Sequence, residues 1–106
     1  LMAQYRVYRN KNPKSKAEVP FLLDVQSNLL SELGTRVVVP LFQKKYLKIK
    51  PLTRLTPEFQ VDGRKFILMT PQLAGISVKD LGEPVGDLAR HRIDIVAALD
   101  LLITGF

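Results

Sequence analysis

The dipeptide Asp62-Gly63 separates two apolar runs and constrains the middle of the chain more than any other feature of the sequence. Asp-Gly is strongly preferred in two-residue β-hairpin loops, where both residues take positive φ angles that most side chains disfavour. The runs FQV (residues 59–61) and KFILM (residues 65–69) flank the dipeptide, and both have strand composition. The sequence therefore predicts a β-hairpin here.

Four other segments have strand character, because they alternate polar and apolar side chains or form apolar runs bounded by turn formers. They are residues 4–8, 21–26, 35–42 and 76–78. Residues 9–20 hold two prolines, two asparagines and four basic residues, so we predict a solvated loop there. Residues 43–57 alternate basic and apolar residues and contain two prolines, which leaves short strands and an irregular excursion both open.

The C-terminal segment gives the one strong helix prediction, over residues 84–104. Pro84 suits a first helical position, and acidic residues near the start complement the positive end of the helix dipole. The first half is amphipathic, with His91 on the polar, solvated face. From Ala97 onward, apolar residues also occupy the face that was polar one turn earlier. A helix that is apolar all round must be covered on both sides.

We therefore expect the helix to pack on the sheet with one face and on a second subunit with the other. The residues that we assign to this dimer interface are Ala97, Ala98 and Leu101. Two-fold homodimers are the commonest assembly, and a small domain gains stability from an additional interface. Burial of both helix faces in one subunit's core ranks second, because so small a domain has little sheet left to cover the second face.

Length and charge limit the classes of function. The 106 residues suffice for one domain, which we place at residues 2–106 because Leu1 precedes Met2, the natural start residue. The net charge of +6 favours an acidic partner, either a nucleic acid or an acidic protein segment. No apolar run approaches the ~20 residues of a membrane span, and no signal pattern opens the chain, so we expect a cytoplasmic protein without membrane contacts.

The sequence contains no constellation of residues that predicts catalysis. It has no cysteine and a single histidine, which argues against a metal site, and no glycine-rich phosphate loop. Ser27, Ser31 and Ser77 have only His91 to activate them. We expect no metal, no cofactor and no enzymatic activity. The basic runs at residues 9–16 and 44–54 have poor aromatic interleaving, with Tyr46 as the only ring within them, so they support direct nucleic-acid binding only weakly.

Four segments together resemble the CcdB toxins of bacterial toxin–antitoxin modules, and the resemblance extends over residues 4–106. They are YRVY (residues 5–8), FLLDVQSNLL (21–30), TRVVVPL (35–41) and the C-terminal TGF (104–106). The resemblance implies a mainly β, SH3-like barrel fold. Such a fold has a strongly bent antiparallel sheet, a smaller second sheet and one C-terminal α-helix, and it assembles as a homodimer.

The resemblance also implies a function without catalysis. CcdB toxins bind the DNA gyrase A subunit and trap its cleaved complex with DNA, and a CcdA-type antitoxin removes them. The toxin would then contact nucleic acid only indirectly, through gyrase or through its complex with the antitoxin. By position, the resemblance implies that gyrase binds Leu29, Leu30, Asp100, Ile103, Thr104, Gly105 and Phe106. For the antitoxin, we expect the charged loop to supply salt-sensitive contacts through Arg9, Lys11, Lys14 and Lys16.

One position at the C-terminus departs from the resemblance. The best-known CcdB toxin carries a Trp where this chain has Thr104, and that ring stacks on an arginine of gyrase, which threonine cannot do. Phe106 offers an aromatic ring two residues later, provided that it points outward. Gly105-Phe106 also fits a helix C-cap, with the glycine in the left-handed conformation and the phenylalanine folded back on the preceding turn.

A second class of function stays open on the same fold. MazF- and Kid-like toxins share this architecture and are ribonucleases. Catalysis without a metal would there need a poised arginine with a hydroxyl or acid partner, for which Arg36 and Arg54 are the candidates. The motifs resemble CcdB more closely, so we rank this function second.

Overall fold

Seven strands and one α-helix make up the computed structural model, which describes residues 3–48, 50 and 52–106. The predicted domain start at Met2 and two positions of the 43–57 segment lie outside the described residues. The elements are β1 (Arg6–Asn10), β2 (Phe21–Asp24), β3 (Thr35–Gln43), β4 (Glu58–Val61), β5 (Arg64–Leu68), β6 (Ala74–Ser77), β7 (Leu81–Asp87) and α1 (Arg92–Thr104). None of the helices formed by these residues has the length and apolar character of a membrane span.

All described strands pair antiparallel in one sheet with the order β4-β5-β3-β2-β1-β7. The nine-residue strand β3 organises this sheet because it has different partners along one edge. Its first half pairs with β6, where Val38 lies opposite Ala74, and its second half pairs with β5, where Leu41 lies opposite Leu68. The mainly β fold with one C-terminal helix is confirmed, but the smaller second sheet that we expected is not separate among the described residues, because β6 branches from β3 within the single sheet.

The sheet curls until its two outermost strands approach each other. A Cβ atom placed on Gly86 of β7 would lie 3.7 Å from Cγ1 of Val61 in β4, which is ordinary van der Waals contact. The curled sheet encloses an apolar core to which α1 contributes Ile95. The other buried members of this core are Val7, Phe21, Leu23, Val25, Val39, Leu41, Phe59, Val61, Phe66, Leu68 and Leu88.

A second apolar cluster covers the opposite face of β2, so that all four residues of this strand are buried. Tyr8, Leu22 and Val38 form it together with Val19 and Leu81. The 9–20 loop reaches this cluster through Val19. As predicted, the loop carries mostly exposed residues, but it is also held in place by hydrogen bonds to its neighbours in the sheet. An example is the backbone N–H of Gln43, which donates to the carbonyl of Glu18 (3.1 Å).

The Asp62-Gly63 hairpin is confirmed, and other element boundaries shift by a few residues. Asp62 and Gly63 have φ angles of 53° and 76°, as the predicted turn type requires. The first strand begins at Arg6 instead of residue 4, and the short strand predicted at 76–78 runs from 74 to 77. Within the open 43–57 segment, the described residues form a 3₁₀ turn at Lys44–Tyr46 and no strand beyond the end of β3 at Gln43.

The prediction of a helix from residue 84 was wrong in its first third. Residues 81–87 form β7, a 3₁₀ turn follows at Ala89–His91, and α1 begins only at Arg92. The reason is long-range pairing, because β1 and β7 bond along most of their length, from Arg6 opposite Asp87 to Asn10 opposite Leu81. Pro84 stands next to the shifts in register of this ladder, where a residue without an N–H is tolerated.

A buried ion pair joins the end of β2 to the beginning of β3. Nε and Nη2 of Arg36 donate to the two carboxylate oxygens of Asp24 at 2.8 and 3.0 Å, and both side chains have 0% exposure. Nη2 also donates to the carbonyl of Gln26 (3.1 Å), whereas Nη1 is buried without a hydrogen-bond partner among the described residues. A charge pair this deep depends on both partners, because either one alone would be a desolvated ion.

Replacement of Arg36 should therefore strongly destabilise the fold. We expect Arg36→Met to lower the free energy of unfolding by about 3–5 kcal/mol, because Asp24 would be left buried and uncompensated. Urea titration followed by circular dichroism measures this loss. The exposed Arg92→Met is the matched control, with a change within about 0.5 kcal/mol. Equal stability of the two variants would show that the buried pair does not hold β2 to β3.

Candidate functional site

Helix α1 ends in an exposed tip, by which we mean residues 103–106. Gly105 has a φ angle of 82°, and its N–H donates to the carbonyl of Leu101 (3.1 Å), which is the left-handed C-cap that we predicted. The hydroxyl of Thr104 donates to the carbonyl of Asp100 (2.7 Å). Phe106 is 85% exposed and Ile103 71% exposed, so the phenylalanine does not fold back on the helix. The tip presents apolar side chains to solvent.

The last residue of the tip is tied to the segment between β3 and β4. Nη2 of Arg54 donates to the main-chain oxygen of Phe106 (3.1 Å). Arg54, Lys50, Pro57 and Ala97 also line a surface cleft of about 790 Å³ between this segment and α1. Sequence reasoning named Arg54 for another role and missed this contact, since no spacing signal connects positions 52 residues apart.

A second exposed apolar group lies in the loop between β2 and β3. Residues Asn28–Leu30 form a 3₁₀ turn, which we call the Leu29 turn, and the Ser27 hydroxyl accepts from the N–H of Leu29 (3.1 Å). Leu29 is 94% exposed, and Leu30 and Leu33 are about half exposed. Leu33 was missing from the predicted contact residues, although it continues the apolar pattern of this loop. The Leu29 turn and the tip belong to separate elements of the chain.

The basic loop, residues 9–16, is exposed, but its cations differ in their surroundings. Nε of Arg9 lies 2.7 Å from Oε1 of Glu83, and Nζ of Lys11 donates to the carbonyl of Lys79 (3.0 Å). Lys14 and Lys16 are exposed, and their ammonium groups have no hydrogen-bond or ion-pair partner within the described part of the chain. Of the four predicted antitoxin contacts, these two are therefore the ones most available to a partner.

The family of the chain follows from a comparison with known proteins. The family model described as CcdB protein matches residues 4–105, which is nearly the whole chain. The chain belongs to the CcdB family. It is accordingly a toxin of a toxin–antitoxin system, as the four quoted segments indicated.

A solved structure supports the same architecture for this CcdB-family chain. An endoribonuclease in complex with its cognate antitoxin from Mycobacterial species superposes with a TM-score of 0.75. The match covers 97% of this chain and 95% of that chain at 14% sequence identity. A likeness at so low an identity establishes a common fold and leaves the chemistry to the individual side chains.

The structure removes one residue from the predicted dimer surface on α1. Ala98 is fully buried beside Ile95, so it faces the core and is not available to a second subunit. Ala97 and Leu101 are half-buried, and Ala97 lines the cleft beside Arg54. The apolar side chains that α1 leaves exposed are Ile93, Val96 and Ile103. The outward stripe therefore lies about a third of a turn away from the face that we predicted, because the helix packs through Ile95 and Ala98.

Two further expectations change with the geometry. Arg36 cannot act on RNA in this arrangement, because its side chain is fully buried and paired with Asp24. His91 is not simply solvated, since its ring lies 4.9 Å from that of Phe59 in a tilted arrangement and the residue is half-buried. Among the described residues, no group of three or more His, Cys, Asp or Glu side chains is placed to hold a metal ion.

Proposed function

We propose that this CcdB-family toxin binds the DNA gyrase A subunit and traps the gyrase–DNA cleavage complex in the cytoplasm. It acts as a homodimer by binding alone, without catalysis, and a CcdA-type antitoxin neutralises it. The observation that carries this proposal is the exposed apolar surface at two places, the tip and the Leu29 turn. Both coincide with the positions that the resemblance to CcdB assigned to the target.

The exposed groups form apolar surface that a protein partner can cover. Leu29, Ile103 and Phe106 each leave most of their side chain in water, where a monomeric domain would normally bury such residues. Covering apolar surface stabilises a complex by about 25 cal/mol per Å² before the costs of association are subtracted. A few well-packed side chains near the centre of an interface supply most of this gain.

The tip can compensate for the missing Trp in one specific way. The hydroxyl of Thr104 donates to the carbonyl of Asp100 within the helix, so the side chain presents mainly its methyl group to solvent. Phe106 has an outward-pointing ring that can lie under a guanidinium of the target, a contact worth about 0.5–2 kcal/mol. The hydrogen bond from the Arg54 guanidinium to the main-chain oxygen of Phe106 restricts the movement of this residue. We assign the aromatic contact with gyrase to Phe106.

The homodimer and the antitoxin use other surfaces. The exposed side chains Ile93 and Val96 on the first two turns of α1 form the proposed subunit contact. A two-fold axis through such a stripe would bury it against its own copy. An acidic antitoxin segment would meet Lys14 and Lys16 of the basic loop.

Ribonuclease activity is the second candidate, and one observation favours it. Arg54 is exposed in a cleft that Thr53, Thr56 and Glu58 also line, which brings an arginine near hydroxyl and acid groups. It ranks second because the Arg54 guanidinium already donates to Phe106 and because the endoribonuclease likeness is one of fold.

Removal of residues 104–106 should abolish trapping of cleaved gyrase–DNA complexes. The physical reason is loss of the aromatic contact and of the capped helix end, while the core and the Ile93 stripe stay intact. Plasmid cleavage by purified gyrase, with and without the truncated protein, measures the effect, and circular dichroism checks the fold. Undiminished trapping by the truncated protein would contradict the proposal. Cleavage of RNA by the intact protein that Arg54→Ala abolishes would favour the ribonuclease instead.

Neutral replacement of the basic loop should weaken antitoxin binding. We expect the pair Lys14→Ser and Lys16→Ser to lose about 0.4–2 kcal/mol of binding free energy at low salt, at about 0.2–1 kcal/mol for each exposed ion pair. The loss should shrink as salt is added. Calorimetric titration with the antitoxin measures it. Lys45→Ser with Lys48→Ser is the control of equal charge change, and an equal loss for both pairs would refute a specific role for the loop.

A charge on the exposed stripe of α1 should separate the subunits. Ile93→Glu leaves the monomer's core untouched because Ile93 is 77% exposed, but in the dimer it would bury an unpaired carboxylate. Multi-angle light scattering at micromolar concentration should show a monomer for Ile93→Glu and a dimer for the control Gln60→Glu. A dimeric Ile93→Glu variant would mean that another surface joins the subunits, with Leu101→Glu as the next variant to measure.

A further inference from the structure

The Leu29 turn carries an almost fully exposed leucine on only three residues of 3₁₀ helix. Such a short element has little stability of its own, because each turn fixes several dihedral angles for few hydrogen bonds. An exposed apolar side chain on a loose turn would also lose much conformational freedom on binding a partner. The way in which the rest of the protein holds this turn therefore bears directly on its affinity for a target.

Gln26 holds the Leu29 turn from its buried side through side-chain hydrogen bonds. Its Nε2 donates to the carbonyl of Leu30 (3.1 Å), and its Oε1 accepts from the backbone N–H of Val37 in β3 (3.0 Å). The amide side chain thus bridges the far end of the turn to a central strand of the sheet. Gln26 is buried, with 8% exposure, so water competes little for these two bonds.

The backbone of Gln26 is itself fixed by the buried ion pair. Its N–H donates to Oδ1 of Asp24 (3.0 Å), and its carbonyl accepts from Nη2 of Arg36 (3.1 Å). Since Asp24 and Arg36 are locked together by two further bonds, Gln26 has little freedom to move. An unbroken series of hydrogen bonds therefore runs from the ion pair through Gln26 to Leu30.

Asn28 holds the turn from the exposed side. Its Oδ1 accepts from the backbone N–H of Gln4 (2.8 Å), which ties the start of the turn to the N-terminal segment. This segment is anchored in turn, because Nε2 of Gln4 donates to the carbonyl of Val25 (3.1 Å). Hydrogen bonds of the Gln26 and Asn28 side chains therefore hold the two ends of the Leu29 turn. Neither side chain is part of its apolar surface.

We propose that Gln26 and Asn28 are positioning residues, which preorganise the Leu29 turn for its protein target through these hydrogen bonds. The inference rests on the proposed function, in that it takes the turn to be part of the gyrase-binding surface. Neither residue needs to touch the target. Their effect on affinity passes entirely through Leu29 and Leu30.

A double-mutant cycle with Leu29→Ala tests this relation. Gln26→Met keeps the length of the side chain and removes both of its hydrogen bonds, and the exposed Gln60→Met is the matched control. Affinity for the purified gyrase A subunit is measured by calorimetry at a temperature at which every variant is folded. We expect Gln26→Met to weaken binding about three- to tenfold and Gln60→Met to leave it unchanged.

The effect of Gln26→Met in a protein that already carries Leu29→Ala is the decisive comparison. In a protein that already carries Leu29→Ala, Gln26→Met should weaken binding no further, because nothing is left to position. A full additional loss in that background would overturn the inference, since Gln26 would then act by another route. If Leu29→Ala alone leaves gyrase binding intact while removal of the tip abolishes it, the inference falls but the proposed function survives. If neither change affects binding, both fall.

Substitution of Asn28 is an independent test that does not disturb a buried group. Asn28→Ala removes the acceptor for the Gln4 N–H and should weaken gyrase binding about two- to fivefold, whereas Asn28→Asp retains an acceptor oxygen and should restore it. Amide hydrogen exchange of residues 29–33 should accelerate in Asn28→Ala and Gln26→Met, with β3 and β5 unchanged. Unaltered exchange in these variants would show that the turn is rigid without the two side chains, contrary to the proposal.

Discussion

The ion pair between Asp24 and Arg36 is the interaction on which the most other features of this structure depend. It lies where the chain leaves β2 and enters β3, and it is fully buried. Desolvation of two charges is costly, so the pair is tolerated only because its geometry is bidentate and because Gln26 supplies further polar partners. The pair also fixes the backbone of Gln26, which leads into the exposed Leu29 turn.

The tip and the Leu29 turn obey the same physical rule. Each exposes apolar groups that would be more stable buried, and each is held in one geometry by polar bonds to neighbouring backbone. At the tip these bonds come from the left-handed Gly105, the Thr104 hydroxyl and Arg54. A surface of this kind contributes to affinity because its conformational entropy is already restricted before the partner arrives.

Features that arise from local chemistry could be predicted from the sequence. The Asp62-Gly63 turn and the Gly105 cap follow from the few residues that tolerate positive φ angles. Predictions failed where distant parts of the chain decide, as when β1 pairs with residues 81–87 and overrides a helical pattern that Gly86 already weakened. The burial of Ala98 and the contact between Arg54 and Phe106 are likewise fixed by packing, which no single-sequence periodicity contains.

The similarity to an endoribonuclease fold separates architecture from chemistry. A TM-score of 0.75 at 14% identity means that two chains can share the curled sheet and helix while almost every side chain differs. In this chain Arg36 is buried in an ion pair with Asp24, and Arg54 donates a hydrogen bond to the C-terminal Phe106. The same fold can therefore occur in that endoribonuclease and in this CcdB-family chain, for which we propose protein binding, because the side chains that differ between them decide the chemistry.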